Sequence, residues 1–383
     1  MNRKLLFVVN VDWSFLSHRL PIALQAQKAG FDVHIATVIT NKLHILESNG
    51  ITVHPLGLVR GGWGVFNAIG TFFNLCLIIR QIKPDLIHLV TIKPVLLGGL
   101  VARLMRVPAL ISAVSGLGYV FMSEGVIAWA RRKFVIYLYS FALGHHNQVV
   151  IFQNSDDRDT LMLATGLPDS KVEMIRGSGV DLVKYAPVSE PSGVPVVLFP
   201  ARLLADKGIF EFIAAARLLR AKGAAARFVL AGFIDSANPT CVSQPQLDAW
   251  VEEGVVEYWG YRTDMPNVLA NVAIVVLPSY REGLPKVLLE AAACGRPIVT
   301  TDVPGCRNAI EPNLTGLLVA MREVEGLAQA IERLLTNPKL REKMGLAARR
   351  LAEQEFDDRI VANMHLDIYQ KLLAKQGSQT KYL

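Results

Sequence analysis

Cysteine is scarce: Cys76, Cys241, Cys294 and Cys306 are the four in 383 residues, and no two form a C-x-x-C pair. That spacing indicates neither a disulfide framework nor a structural zinc site, and a reducing compartment is expected. Charge is sparse at 19% while hydrophobic residues reach 51%. Extended disorder needs the opposite balance and is excluded. Long apolar runs are missing as well. Positions 61–79 carry no charge, close to the roughly 20 residues of a bilayer crossing, but Gly61, Gly62, Asn67, Gly70, Thr71 and Asn74 dilute the run. At the start, Arg3 and Lys4 precede only Leu5 to Val9, which suits a first strand and is short for an export signal. Neither a span nor a secretory leader is expected.

Acidic residues are depleted in one region. Between Arg60 and Phe134, nine Lys/Arg face only Asp85 and Glu124, an excess as large as the net charge of +7 for the whole chain. The same region is apolar, with Trp63, Phe66, Phe72 and Phe73 before Arg80, and Trp129 before Arg131, Arg132 and Lys133. Basic and apolar together point to a membrane surface rather than nucleic acid. The alternative is that helices over 63–79 and 126–143 merely cover a sheet.

What is abundant is a repeated α/β pattern. In the first half, short apolar runs near 5–10, 32–37, 51–54, 86–90, 109–113 and 148–152 alternate with amphipathic stretches. Runs of this length without polar alternation are strands buried on both faces, and helices between them imply parallel crossovers. Pro187, Pro191, Gly193 and Pro195 mark a linker, and the second half repeats the plan with runs near 196–199, 228–231, 255–259, 273–277 and 297–300. The expectation is two doubly wound Rossmann-like domains facing a central cleft: 1–187, 188–355, and a C-terminal helix and tail over 356–383 that returns to the first domain. Such sheets bind ligands beyond the carboxyl ends of their strands.

Two loops there carry chemistry. Arg202 and Lys207 follow the run Val196 to Phe199, where a guanidinium fork and an ammonium suit a diphosphate. After the run Ala273 to Leu277 comes a segment holding Glu282, Gly283, Leu284, Pro285 and Glu290. Proline suits a first helical turn, so a helix is expected to open near Leu284 and present the Gly283 and Leu284 amides to an anion. Eight residues of helix rise about 12 Å, beyond the roughly 5–9.5 Å between the carboxylates of a glycosidase. Glu282 and Glu290 are better read as acceptors of hydrogen bonds from sugar hydroxyls.

These residues, with Ala291 to Pro297, Gly177 to Asp181, Lys83 to His88, Lys93-Pro94 and Ser115 to Gly118, resemble the retaining GT-B glycosyltransferases of the family-4 type. The likeness is greatest to bacterial enzymes that extend undecaprenyl-diphosphate-linked sugars in capsule, O-antigen or protein-glycan assembly, N-acetylgalactosaminyltransferases among them. The resemblance implies that Arg202 and Lys207 hold the diphosphate of a UDP-sugar and that Glu282 takes donor-sugar hydroxyls. It gives Glu290 the ribose, with Gly283 and Leu284 assisting and Tyr261 and Arg262 near the base. It implies a front-face reaction in which the leaving phosphate helps deprotonate the acceptor, with no metal or other cofactor. It places the acceptor, a lipid-diphosphate-linked saccharide, against the first domain, where His18, Lys93, Ser115 and Gly116 are candidates. The enzyme would then work on the inner face of the plasma membrane. Two departures stand out: many relatives have Gly-Gly where this chain runs Val11 to His18, and others have His-Asp where it has Ser115-Gly116. A sugar-nucleotide 2-epimerase of the same fold, a transferase with a non-lipid acceptor, and an inactive binding module are the competing readings.

Two weaker motifs have simpler explanations. Asp157-Arg158-Asp159 matches a D-x-D metal motif but follows Ser155 at a helix start, where acids cap. His145-His146 has no acidic or cysteine companion nearby.

Overall fold

The computed structural model describes residues 2–57, 65–117, 125–236 and 238–379, with side chains except those at 65, 66, 126, 127 and 376–379. Trp63 lies outside the described residues, and Phe66 is described by its backbone alone. The chain divides into two units: Met1–Ser178 with Asp358–Leu383, and Gly179–Asp357.

Among the described residues the first domain runs β1 (Arg3–Val11), α1 (Asp12–His18), α2 (Leu20–Lys28), β2 (Phe31–Val38), α3 (Leu43–Ser48), β3 (Thr52–Pro55), α4 (Val65–Ile82) and β4 (Leu86–Val90). It continues with α5 (Ile92–Leu104), β5 (Ala109–Val114), α6 (Val126–Ala142), β6 (Gln148–Phe152), α7 (Ser155–Thr165) and β7 (Val172–Met174). The strands form one parallel sheet in the order β3-β2-β1-β4-β5-β6-β7. Strands β4 and β5 are buried at every position, as central strands covered on both faces must be. Along β1 the two-residue alternation sends Leu6 and Val8 into the core under α4, α5 and α6, and Leu5, Phe7 and Val9 into the core under α2.

The second domain comprises β8 (Val196–Phe199), α8 (Ile209–Ala221), β9 (Arg227–Leu230), α9 (Gln244–Glu252), β10 (Glu257–Tyr258), α10 (Met265–Ala270) and β11 (Ile274–Leu277). Then come α11 (Lys286–Ala293), β12 (Ile298–Thr301), β13 (Gly316–Val319), α12 (Val324–Leu335) and α13 (Pro338–Leu351), which ends in a π-helical turn, Ala352–Phe356. Its parallel sheet has the order β10-β9-β8-β11-β12-β13. The last helix, α14 (Asp358–Gln379), returns to the first domain, where His88 Nδ1 meets Tyr369 Oη at 2.7 Å and Asn147 Nδ2 donates to the Leu372 carbonyl at 3.0 Å.

Three expectations need correcting. The domains part at Gly179 rather than near 188, because Val180 and Tyr185 belong to the second core, where Tyr185 Oη donates to Glu290 at 2.9 Å. The proline-rich segment is internal to the second domain. Strand β7, of three residues, was too short to leave a pattern, and β13 went unread although it is as long as β8 and β11. The run at 255–259 contributes only Glu257 and Tyr258 to the sheet, paired with Val229 and Leu230.

Candidate active site

In the second domain the loops after β8 and β11 meet. Gly208 has φ +77, and a Cβ there would lie 2.1 Å from the Pro278 carbonyl oxygen. Only glycine allows both, so the backbone comes close enough to set Lys207 beside the segment after β11. Lys207 Nζ donates to Glu282 Oε1, which also accepts from Ser279 Oγ at 2.9 Å. Both partners of the ion pair are largely buried, at 16% and 15% side-chain exposure, so the contact is screened less than a surface pair. Arg202 Nη1 donates to Asp235 Oδ2 at 2.7 Å. Asp206 does not reach out; it accepts from Thr240 Oγ1 at 2.7 Å and its carbonyl takes the Tyr280 amide at 2.9 Å, tying the two loops together. Beneath them Cys306 is fully buried, its thiol pushed up to about 12 by burial, with the nearby Glu282 charge adding to the effect. It is a neutral wall, not a nucleophile.

The helix after Glu282 opens two residues later than expected. Pro285 is the extended residue before α11, with φ −72 and ψ 114. The Glu282 amide donates to the Pro304 carbonyl at 3.1 Å, and a Cβ at Gly305 would lie 2.4 Å from the Glu282 carbonyl oxygen. The backbone at 282–283 is therefore pinned to the 304–305 loop and cannot wind into a helix. Gly283 and Leu284 precede the helix, so its leading amides belong to Lys286 and Val287. Glu290 is 8% exposed, accepts from Tyr185 Oη and lies 3.9 Å from Lys286 Nζ. Burial raises its pKa, against the pull of Lys286 and the Tyr185 hydrogen bond.

Tyr261 is 67% exposed and packs edge-to-face on Phe233 with centroids 5.4 Å apart. Arg262 is engaged locally by Asp264, at 2.8 and 2.6 Å, which holds that carboxyl well below its usual range. The structure thus brings Lys207 and Glu282 together, gives Arg202 and Glu290 their own partners, and leaves Tyr261 open. Asp235, Tyr185 and Ser279 escaped the sequence reading. Asp235 was findable, since it follows β9 at a strand's carboxyl end; Tyr185 announces itself only through the fold.

In the first domain, His18 ends α1 with Nδ1 3.1 Å from the Ser14 carbonyl. Ser115 follows β5 and accepts from Arg19 Nη2 at 3.3 Å, and Gly116 has φ +108. Lys93 lies in the first turn of α5, its pKa lowered by burial. Where Gly-Gly was noted as missing, β1 runs directly into α1, and buried Asp12 accepts from Thr40 N and Oγ1, both at 2.7 Å. Asp157 accepts from Asn154 Nδ2 at 2.9 Å within the cap of α7, and Asp159 pairs with Arg158 at 2.7 Å. His145 is buried between the Asn147 and Val107 carbonyls, at 3.1 and 2.9 Å. Phe72 packs inward against the core, while Phe73 is 62% exposed. No helix among the described residues is long and apolar enough to cross a membrane.

The family described as "Glycosyl transferases group 1" matches residues 185–351, and "Glycosyl transferase 4-like" matches residues 4–154. The N,N'-diacetylbacillosaminyl-diphospho-undecaprenol alpha-1,3-N-acetylgalactosaminyltransferase of Campylobacter jejuni is 31% identical over 380 residues, covering 94% of this chain and 98% of that one. The chain belongs to the group 1 glycosyltransferases. An Escherichia coli UDP-Gal:alpha-D-GlcNAc-diphosphoundecaprenol alpha-1,3-galactosyltransferase is 25% identical over 281 residues, 69% of this chain and 70% of that one. In fold, the chain is similar to a glycosyltransferase from Rickettsia africae, with TM-score 0.78, 19% identity, and 97% and 99% of the two chains covered. Two parallel-sheet Rossmann-like domains are the GT-B architecture of this glycosyltransferase family. Arg202, Lys207, Glu282 and Glu290 all fall inside the group 1 match.

Proposed function

We propose that this glycosyltransferase moves an N-acetylhexosamine from a UDP-sugar to an undecaprenyl-diphosphate-linked saccharide, with retention at the anomeric carbon and without a metal ion. The observation that carries the reading is Lys207 held on Glu282 between two strand-end loops. One ammonium there can serve a departing diphosphate while its carboxylate partner faces the sugar. Lys207 and Arg202 would offset charge growing on the leaving phosphate, and preorganised cations lower the barrier because they need not reorient. Glu282 would accept from donor-sugar hydroxyls and Glu290 from the ribose. In the front-face step the C1–O bond to the β-phosphate breaks as the acceptor oxygen bonds to C1 on the same side. The acceptor proton passes to the departing phosphate oxygen, so no protein base is needed. Both transferases named above form alpha-1,3 links, and common UDP-hexoses are themselves α-linked, which supports retention.

We further place the reaction at an anionic membrane surface. Ile69, Phe73 and Leu77 form an exposed stripe along α4, and Trp129, Phe134, Tyr137 and Phe141 are exposed on α6, beside Arg131, Arg132 and Lys133. A helix that only covers a sheet has no reason to face water with four aromatics. The test is a panel of radiolabelled UDP-sugars with undecaprenyl-diphosphate-linked acceptors in the presence of EDTA. Transfer to lipid, with an α-linkage in the product, supports the reading. UDP-sugar turnover without acceptor contradicts it and favours an epimerase.

A further inference from the structure

Three arginines are buried among the described residues, and one is unlike the others. Arg341 forks onto Glu190, and Arg296 donates to the Leu269, Ala270 and Ser189 carbonyls. Arg19, 3% exposed, donates from Nη1 to the His18 carbonyl at 3.1 Å and from Nη2 to Ser115 Oγ at 3.3 Å, and its Nε has no partner. A guanidinium has five N–H donors, so most of its capacity is unspent. The titratable groups around it are His88, His365 and Tyr369, none of them an anion at neutral pH. Burial accordingly pulls the guanidinium down to about 10.

A charge buried without a counter-charge is destabilising, and replacing it with an apolar side chain commonly improves a fold. A chain that keeps one has a use for it. Arg19 stands between α1 and α2, and Ser115 follows β5. The Arg19 contact with Ser115 brings the guanidinium to the residue that directly follows β5, at the carboxyl end of a strand, where open α/β sheets take ligands. The same edge shows two further marks of a site. Thr91, directly after β4, is held at φ 73 and ψ 169, a strained conformation for a β-branched residue. Its Oγ1 accepts from Asn10 Nδ2 at 2.8 Å, and Asn10 Oδ1 is buried without a partner.

We propose that Arg19, held by Ser115, is a receptor in the first domain for one phosphate of a diphosphate-bearing substrate. The inference rests on the reading under Proposed function, which supplies two such groups: the lipid-linked acceptor's diphosphate and the donor's β-phosphate. The chemistry is the same for both, a forked guanidinium-to-oxyanion contact in a place shielded from water.

The test is ligand-induced thermal stabilisation of the full chain, with farnesyl diphosphate and UDP as separate probes and Arg19→Met as the variant. The expected result is a variant at least as stable as the wild type without ligand, whose affinity for one probe falls about tenfold or more, the worth of a charge-assisted contact. Loss for farnesyl diphosphate alone identifies the acceptor's phosphate; loss for UDP alone identifies the donor's. Unchanged affinity for both probes overturns the inference. If Arg19→Met does not fold, Ser115→Ala keeps the charge and releases Nη2; weaker binding of one probe supports the site, and unchanged binding of both overturns it. Failure of the underlying reading looks different: UDP then binds the wild type and Lys207→Ala alike, whereas failure at Arg19 leaves the Lys207 dependence in place.

Discussion

The two domains share a sheet plan but treat buried polar groups in opposite ways. In the second, Lys207 pairs with Glu282, Arg202 with Asp235 at 2.7 Å and Arg341 with Glu190 at 2.6 Å, Glu290 lies under the Tyr185 hydroxyl at 2.9 Å, and buried Arg296 is met by three backbone carbonyls. The first domain holds all eight histidines of the sequence. His88, His145 and His365 are buried there, His145 held down to about 4 and His365 to about 3 by burial above all. Under the proposed function, the second domain would keep its charges paired until a nucleotide shares them. The other domain exposes apolar side chains along α4 and α6 and buries Arg19 without a charged partner among the described residues.

The largest expected effect sharpens the second domain's side. Lys207→Ala should lower turnover by about 10²-fold or more, the scale of losing one preorganised contact to developing negative charge. Circular dichroism should show the fold retained; near-normal turnover would remove the diphosphate site from the loops after β8 and β11.

The next effect would break or confirm the contrast in titration. A histidine whose folded pKa is depressed binds its proton more readily when unfolded, so stability present above pH 6.5 is lost as pH falls toward the folded value. For fully buried His365, moving from pH 6.5 to pH 4 costs on the order of 3 kcal/mol. Hydrogen exchange should therefore show the first domain opening before the second as pH falls. Simultaneous opening, or earlier loss of the second domain, contradicts this.

Glu290 titrates in the other sense. Its raised pKa means that protonation begins at a higher pH than for an ordinary carboxylate, so the ribose contact proposed for it should weaken early on acidification. Glu290→Gln should lower UDP-sugar turnover about tenfold, the worth of one charged hydrogen bond, and flatten the acid limb of nucleotide binding. An acid limb that survives in the variant assigns it to another group.

The smallest effect concerns the exterior. Reversing charge at Arg131, Arg132 and Lys133 should weaken sedimentation with anionic vesicles at low salt, by about 1 kcal/mol per residue near the surface. Unchanged sedimentation would leave α4 and α6 as sheet covers.

Much of this architecture was legible in the chain because central parallel strands, buried on both faces, write themselves as short apolar runs. Helix α8 was legible at its start, since Gly208 ends the loop and Ile209 opens the helix. Strand β7 was not, being only three residues long, and β13 was not although it matches β8 in length. Of the candidate site, Arg202 and Lys207 stood out as cations after a strand, and Glu282 and Glu290 as acids before and within a helix. Two of their partners were not legible, because Asp235 and Tyr185 reach Arg202 and Glu290 across the fold, 33 and 105 residues apart in sequence; Ser279 is a local partner, three residues before Glu282. The opening of α11 was misplaced for a similar reason: a proline is compatible with a first helical turn, but the Pro304–Gly305 backbone, distant in sequence, holds the preceding residues extended.

The most direct test is a crystal structure of the protein soaked with UDP. The account predicts the diphosphate in contact with Lys207 Nζ and the Arg202 guanidinium, with the ribose hydroxyls on Glu290. A diphosphate bound to the second domain away from those residues, or bound only in the first domain, would contradict it.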